Sequence, residues 1–299
     1  MKAVIFDKYG DPDVLHVGEV AEPHAGPGQV RIAVRASSVN PIDWKQRSGA
    51  LAEYMPIEFP RIIGYDAAGV VDEVGEGADA SVGDEVFGFG VGNGTTAEYA
   101  LLDDFARKPS SLSFEEAAGY PVAAETAVRA FELLGLQPGQ TILINGAAGG
   151  VGTAAVQIAR GRGARVIGTA GERNQDYLRE LGAEPTTYGE GLVDRVRDLG
   201  GADLAFDTAG AGAIPDLIAI AGSPDNVITI ADYAAPEYGV RVTGGQDGRY
   251  VQGLAEAAGL SEQGKFSLPV EHAYPFADAA EAHRVSQAGH VRGKLVLVP

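Results

Sequence analysis

The sequence predicts an α/β chain in two parts, a mostly β, barrel-like part and a doubly wound parallel sheet wrapped by helices. Three observations predict it. Short β-rich runs separated by Gly/Pro turns fill the chain to about residue 117. Strand and helix patterns then alternate after Pro138-Gly139. Within that alternation, one strand pattern runs into a glycine-rich turn that opens a helix. A length of 299 residues also suits two domains, at roughly 150 residues each.

The elements follow in order. Residues 30–34, 67–74 and 85–89 read as strands, punctuated by turns such as Ala25-Gly26-Pro27-Gly28. Helical spacing begins at about Glu115, over 115–120 and then 124–135. The alternating part reads strand 141–145, helix 151–162, strand 165–170, helix 174–181 and strand 203–207. It continues with a helix at about 214–221, a strand at 227–231 and a helix at about 250–259. The tail reverts to a helix over 276–288 and an apolar strand over 294–298.

Composition excludes several function classes. Lys plus Arg total 23 against 41 Asp plus Glu, a formal charge of −18. Such a surface repels phosphate backbones and anionic lipid, so neither nucleic acid nor a membrane is an expected partner. Cysteine is absent, which removes disulfides, thiolate nucleophiles and sulfur-ligated zinc. The five histidines, His16, His24, His272, His283 and His290, show no HxxxH or HExxH spacing, and no metal site is expected. The opening residues Met1 to Asp7 resemble neither a secretory nor a transit leader, and no apolar run approaches a membrane span. A cytoplasmic location is the expectation. The glycosylation match Asn93-Gly94-Thr95 is read as chance.

The turn carries the first chemistry. Strand Thr141-Ile142-Leu143-Ile144-Asn145 leads into Gly146-Ala147-Ala148-Gly149-Gly150-Val151-Gly152, an A-x-G-x-x-G fingerprint in which Ala147 replaces the usual first glycine. Gly149 lets backbone approach a pyrophosphate, Gly152 lets the helix pack close to the strand, and the helix N-terminus offers N–H groups and partial positive charge. A dinucleotide-binding Rossmann domain is expected. A short-chain dehydrogenase is rejected, because about 140 residues precede the turn and no Tyr has a Lys four residues on. At the end of the next strand pattern, Thr169-Ala170-Gly171, no carboxylate stands where an NAD site usually places one; Glu172 and Arg173 follow. Arg173 suits a 2′-phosphate, so NADPH is expected over NADH, while Glu172 keeps NADH open.

These motifs together resemble the medium-chain dehydrogenase/reductase superfamily, in its zinc-free quinone oxidoreductase (ζ-crystallin-like) branch. The resemblance rests on Met1-Lys2-Ala3-Val4 leading to Tyr9-Gly10, Val39-Asn40-Pro41-Ile42-Asp43, Gly64-Tyr65-Asp66-Ala67-Ala68-Gly69-Val70-Val71 and Val82-Gly83-Asp84-Glu85-Val86. It continues through the Ala147–Gly152 turn, Phe206-Asp207-Thr208-Ala209-Gly210 and Gly293-Lys294-Leu295-Val296-Leu297, in the family's order over essentially the whole chain. It implies a GroES-like catalytic domain made from both termini, 1–117 and 269–299, with a Rossmann domain inserted at 118–268. Zinc members place a Cys where Val39-Asn40-Pro41 stands here and a His where Tyr65 stands, and carry a four-Cys lobe where 89–96 is a short Gly-rich loop. The resemblance also suggests a homodimer, through an edge strand near 240–243.

By the same resemblance, Asn40, Asp43 and Thr126 lie around the nicotinamide end, Gly149, Gly150, Val151 and Gly152 hold the pyrophosphate, and Arg173 and Tyr188 hold the adenosine 2′-phosphate. Each has a plainer alternative: Asn40 could cap a turn, Asp43 a helix, Thr126 could be an ordinary helix residue and Tyr188 a packed strand aromatic. For the proton donor, Tyr54 and Tyr65 are the candidates, with Tyr54 equally readable as a surface aromatic. Trp44 reads as a substrate wall and Lys45 as a solvated charge. Alcohol oxidation needs a metal or a lowered-pKa Tyr/Lys pair, and the sequence offers neither. Reduction of a quinone or an α,β-unsaturated carbonyl needs chiefly orientation and hydrogen-bond donors for developing negative charge. The expected activity is therefore an NADPH-dependent, zinc-independent reductase of such acceptors. A pathway-specific enoyl or ketone reductase, or an accessory NADPH-binding protein with little turnover, are the alternatives.

Overall fold

The computed structural model describes residues 1–90 and 94–299. Asn93 of the glycosylation match lies outside the described residues. The chain divides into two compact units, 1–122 with 268–299 and 123–267.

The first unit opens with β1 (Lys2–Phe6), β2 (His16–Glu19) and β3 (Val30–Val39), then helix α1 (Pro41–Ser48). It continues through β4 (Arg61–Ile62), β5 (Asp66–Val74), β6 (Glu85–Gly90), β7 (Tyr99–Arg107) and α2 (Phe114–Ala118), and holds the start of α3 (Tyr120–Leu134). The second unit alternates β8 (Thr141–Asn145), α4 (Gly150–Gly161), β9 (Arg165–Thr169), α5 (Gln175–Glu180), β10 (Glu184–Thr186), α6 (Leu192–Asp198), β11 (Leu204–Asp207) and α7 (Ile214–Ala221). It closes with β12 (Val227–Thr229), β13 (Arg241–Val242) and α8 (Gln252–Glu262). The tail then returns to the first unit as β14 (Val270–Pro275), α9 (Ala279–Ala288) and β15 (Lys294–Val298).

In the first unit the sheet order is β14-β15-β3-β5-β6-β7, and β3 pairs again with β7, so four antiparallel strands close on themselves. Closure removes the exposed edges of those strands. Val30, Ile32 and Val34 alternate on β3 and pack with Val71, Val86 and Leu102 inside the ring. The second unit is one parallel sheet of order β10-β9-β8-β11-β12-β13. Helix α4 packs on β8 and β9, and α7 on β11 and β12. Every residue of α4 from Gly152 to Ala159 is buried, so the helix is apolar or small nearly all round.

Most expected elements lie within a few residues of their observed bounds. Helix 124–135 starts earlier, at Tyr120, because Pro121 sits in the first turn, where a missing N–H costs nothing. The stretch 276–288 is a 3-10 turn, Phe276–Asp278, followed by α9. Helix α1 starts ahead of Asp43, which stands at its third position with Asn40 as the cap, and Pro41 to Ser48 is mostly polar. It is held by Pro41 at its start, Asp43 bonded back to the Asn40 N–H, and Gly49 in the left-handed conformation (φ +88°) at its end.

Candidate functional site

In the second unit the glycine turn leaves the carboxyl end of β8. Gly146 has φ +82°, and a Cβ there would lie 2.7 Å from the Thr208 hydroxyl. The Ala147 N–H donates to the Thr169 carbonyl at 2.9 Å, and its methyl is fully buried. Gly149 is the N-cap of α4 and brings no side chain to cap it, and no acidic residue stands in the first turn. The uncapped N–H groups at the start of this helix thus suit an anion, and the turn fits the diphosphate of a dinucleotide. The two key glycines differ in kind. A Cβ on Gly152 would meet the Gly146 carbonyl at 2.2 Å, whereas one on Gly149 would meet nothing nearer than 3.6 Å. Gly152 serves packing; Gly149 leaves the surface bare.

Arg173 lies exposed on the 3-10 turn Glu172–Asn174 that follows β9, beside the exposed Glu172. Tyr188 lies beyond the end of β10 and is 59% exposed, rather than packed in a strand. A Cβ built on Gly171 would stand 3.5 Å from its hydroxyl, so Tyr188 and the turn carrying Arg173 are neighbours. Thr126 is buried on α3, its hydroxyl 3.4 Å from both Glu125 Oε2 and Arg129 Nη2. Arg129 in turn donates to Glu125 Oε1 at 2.9 Å and to Thr243 Oγ1 at 2.5 Å, while Glu125 Oε1 also accepts the Tyr250 N–H.

In the first unit, Asn40 and Asp43 belong to a buried polar cluster at the start of α1. Asp43 Oδ2 accepts the Asn40 N–H at 2.6 Å. The Asn40 amide donates to Asp66 Oδ2 at 2.9 Å and Ser38 Oγ at 3.3 Å, and its oxygen accepts from Lys294 Nζ at 2.5 Å. Asp66 further accepts Ser38 Oγ and the Val122 N–H, with Lys294 Nζ 3.6 Å away. Lys294 is only 4% exposed. Burial pushes the Asp43 carboxyl up to about 8, against the Asn40 N–H and the Lys294 charge that hold it down. Burial likewise raises Asp66 and lowers Lys294, each opposed by the other's charge.

Tyr65 is half-buried beside Asp66, its carbonyl accepting the Gly90 N–H. Tyr54 is 79% exposed on the turn after α1. Lys45 Nζ lies 5.7 Å from the centre of the Trp44 ring, whose Nε1 is buried. The structure therefore joins Asn40 to Asp43 and leaves Tyr54 in solvent. Among the described residues no group of three or more His, Asp or Glu side chains is placed to hold a metal ion. No helix among them is long and apolar enough to cross a membrane. Sequence reasoning passed over Ser38, Asp66, Lys294, Glu125 and Arg129. Charged residues inside apolar strands, as in Lys294-Leu295-Val296-Leu297-Val298, were the available signal.

Comparison with known proteins accords with this geometry. Residues 26–109 match a family model described as alcohol dehydrogenase GroES-like domain, and residues 150–230 one described as zinc-binding dehydrogenase. Human quinone oxidoreductase is 32% identical over 323 residues, spanning 100% of this chain and 98% of its own length. The NADPH-dependent alkenal/one oxidoreductase of Arabidopsis thaliana chloroplasts is 30% identical, over 100% of this chain and 80% of its own. A mycobacterial protein solved in complex with NADPH superposes with a TM-score of 0.84 at 28% identity, over 100% of both chains.

Proposed function

Because the chain belongs to the quinone oxidoreductase branch of the medium-chain dehydrogenase/reductase superfamily, we propose that it reduces quinones or α,β-unsaturated carbonyls with NADPH and without zinc. The observation that carries this reading is the glycine turn that ends at the uncapped start of α4. When bound, the nicotinamide supplies a hydride. The second unit is the dinucleotide-binding domain and the first the acceptor-binding domain. Gly149, Gly150, Val151 and Gly152 bind the diphosphate, and Arg173 with Tyr188 binds the 2′-phosphate, which selects NADPH over NADH. The Arabidopsis relative's name and the NADPH-bound neighbour support that choice.

Thr126 and Asp43 serve the ring end. The Asn40 amide is engaged by Lys294, Asp66 and Ser38, so Asn40 acts by fixing the start of α1 rather than by touching the reacting atoms. Negative charge that develops on the acceptor's carbonyl oxygen needs a donor, and Tyr65, a half-buried residue, is assigned that role. Tyr54, exposed on its turn, is the alternative proton donor. Zinc independence rests on Val39-Asn40-Pro41 and Tyr65 standing where zinc members have Cys and His, and on a chain without cysteine. The outer edge of β13, the last strand of its sheet, is where a second copy would pair in a homodimer.

The test follows loss of reduced-nicotinamide absorbance with a panel of quinones and enones, beside direct NADPH titration. Turnover with NADPH exceeding that with NADH is expected. Arg173→Ala should raise the KM for NADPH about ten-fold and leave that for NADH nearly unchanged. Better turnover with NADH would overturn the coenzyme assignment. Tight NADPH binding with no acceptor consumed would leave an accessory binding protein instead.

A further inference from the structure

The parallel sheet reverses its winding between β8 and β11. The chain goes outward from β8 to β9 and β10, then returns to β11 on the other side of β8. In open α/β sheets this switch point, at the carboxyl ends of the strands, is where ligands lie. The last residues of the two strands that flank it, Asn145 and Asp207, are register partners.

Four adjacent strands end at this level in a buried polar residue: Thr169 on β9, Asn145 on β8, Asp207 on β11 and Thr229 on β12. Side-chain hydrogen bonds join all four into one crossbar. Thr169 Oγ1 donates to Asn145 Oδ1 at 2.6 Å, Asn145 Nδ2 donates to Asp207 Oδ1 at 2.8 Å, and Thr229 Oγ1 donates to Asp207 Oδ2 at 2.7 Å. The direction of each bond is determined. The Gly146 N–H donates to Thr169 Oγ1, which turns the hydroxyl proton toward Asn145. The Asn145 amide, accepting through Oδ1, then presents its N–H to Asp207.

Each end of the crossbar also grips a loop. Asp207 Oδ1 accepts the N–H groups of Ala209 and Gly210, and Thr229 Oγ1 those of Ala231 and Asp232. Three loops that leave the sheet at the ligand end are thereby tied to one another: the glycine turn, 208–210 and 230–232. Burying an Asp side chain is costly unless its oxygens are bonded, and an apolar residue here would leave four donors unpaired. The four donors to Asp207 offset the cost of burying its side chain at this end of the sheet.

We infer that Asn145 and Asp207, with Thr229, are positioning residues for the dinucleotide, holding the loops on either side of the switch point at a set separation. This rests on the NADPH-binding reading above. The test measures NADPH Kd by fluorescence on folded protein, with circular dichroism, Tm, and KM for coenzyme and quinone taken separately. Asp207→Asn keeps the shape but turns an N–H toward groups that already donate; it should weaken NADPH binding about ten-fold or more. Thr229→Val, which loses only the hydroxyl, should raise the Kd and KM for NADPH about five- to ten-fold and leave the quinone KM within about two-fold. Thr229→Ser should restore both. If Asp207→Asn does not fold, the Thr229 pair decides. Native-like Thr229→Val and Asp207→Asn with lowered Tm but unaltered NADPH Kd would overturn the inference alone. Failure of the unaltered protein to bind NADPH would overturn it together with the functional reading.

Discussion

At the scale of single residues, burial governs titrating groups enclosed in the first unit, such as Asp43 and His283. His283 on α9 is fully enclosed, and desolvation, with the nearby Arg47 charge, lowers its pKa to about 3. Arg47 is itself buried on α1 and donates to Gln287 at 2.8 Å. Between pH 6.5 and about 3 the unfolded chain therefore binds a proton at His283 that the folded chain does not, so stability falls as pH falls through that window. His283→Gln should remove this slope and reduce the stability lost between about pH 7 and pH 4.5 by roughly 2 kcal/mol, read by urea unfolding at the two values. An unchanged difference would show that His283 takes up its proton over the same pH range in the folded and unfolded chain. Asp43 acts with the opposite sign. Its raised pKa means that the folded chain holds the extra proton, and stability is lost as pH rises toward about 8.

At the scale of elements, the glycine turn was legible because its requirements are local. A strand, a short spacing of glycines and a helix start within a dozen residues specify backbone approach and packing without reference to the rest of the chain. The two glycines should separate on mutation. Gly152→Ala forces a Cβ to within 2.2 Å of the Gly146 carbonyl and should destabilise the protein by about 2–3 kcal/mol in denaturant unfolding. Gly149→Ala has room for its methyl and should change stability by less than about 1 kcal/mol. Its methyl would nonetheless occupy the face proposed to take the diphosphate, and NADPH Kd should rise about ten-fold. Equal loss of stability in both variants would contradict this division of labour. Helix α1 was legible only as a helix that Asp43 could cap, for the converse reason. Its sequence carries little apolar periodicity, and its ends are secured by the Asn40–Asp43 bond and Gly49 rather than by a hydrophobic face.

At the scale of the whole molecule, an excess of 18 negative charges works against compactness through self-repulsion. Salt screens that repulsion, so Tm should rise by about 2–5 °C between about 10 and 200 mM NaCl. A constant or falling Tm would mean that the ion pairs, such as Arg162 with Glu132 and Glu256, outweigh it. Charge count is read directly from composition; the pairing that offsets it is not.

The sequence by itself determined the fold class, the family and the dinucleotide turn, since period, glycine spacing and motif order are properties of neighbouring residues. It did not reveal that Lys294 would reach Asn40 from 254 residues away, or that Asn145 would meet Asp207 across 62. A lone Lys, Asp or Asn at a strand end reads the same whether it faces water or a partner. Only strand order and register bring such groups within hydrogen-bond reach. Burial then raises the cost of leaving any of them unpaired, so the folded arrangement decided which polar residues hold the site together.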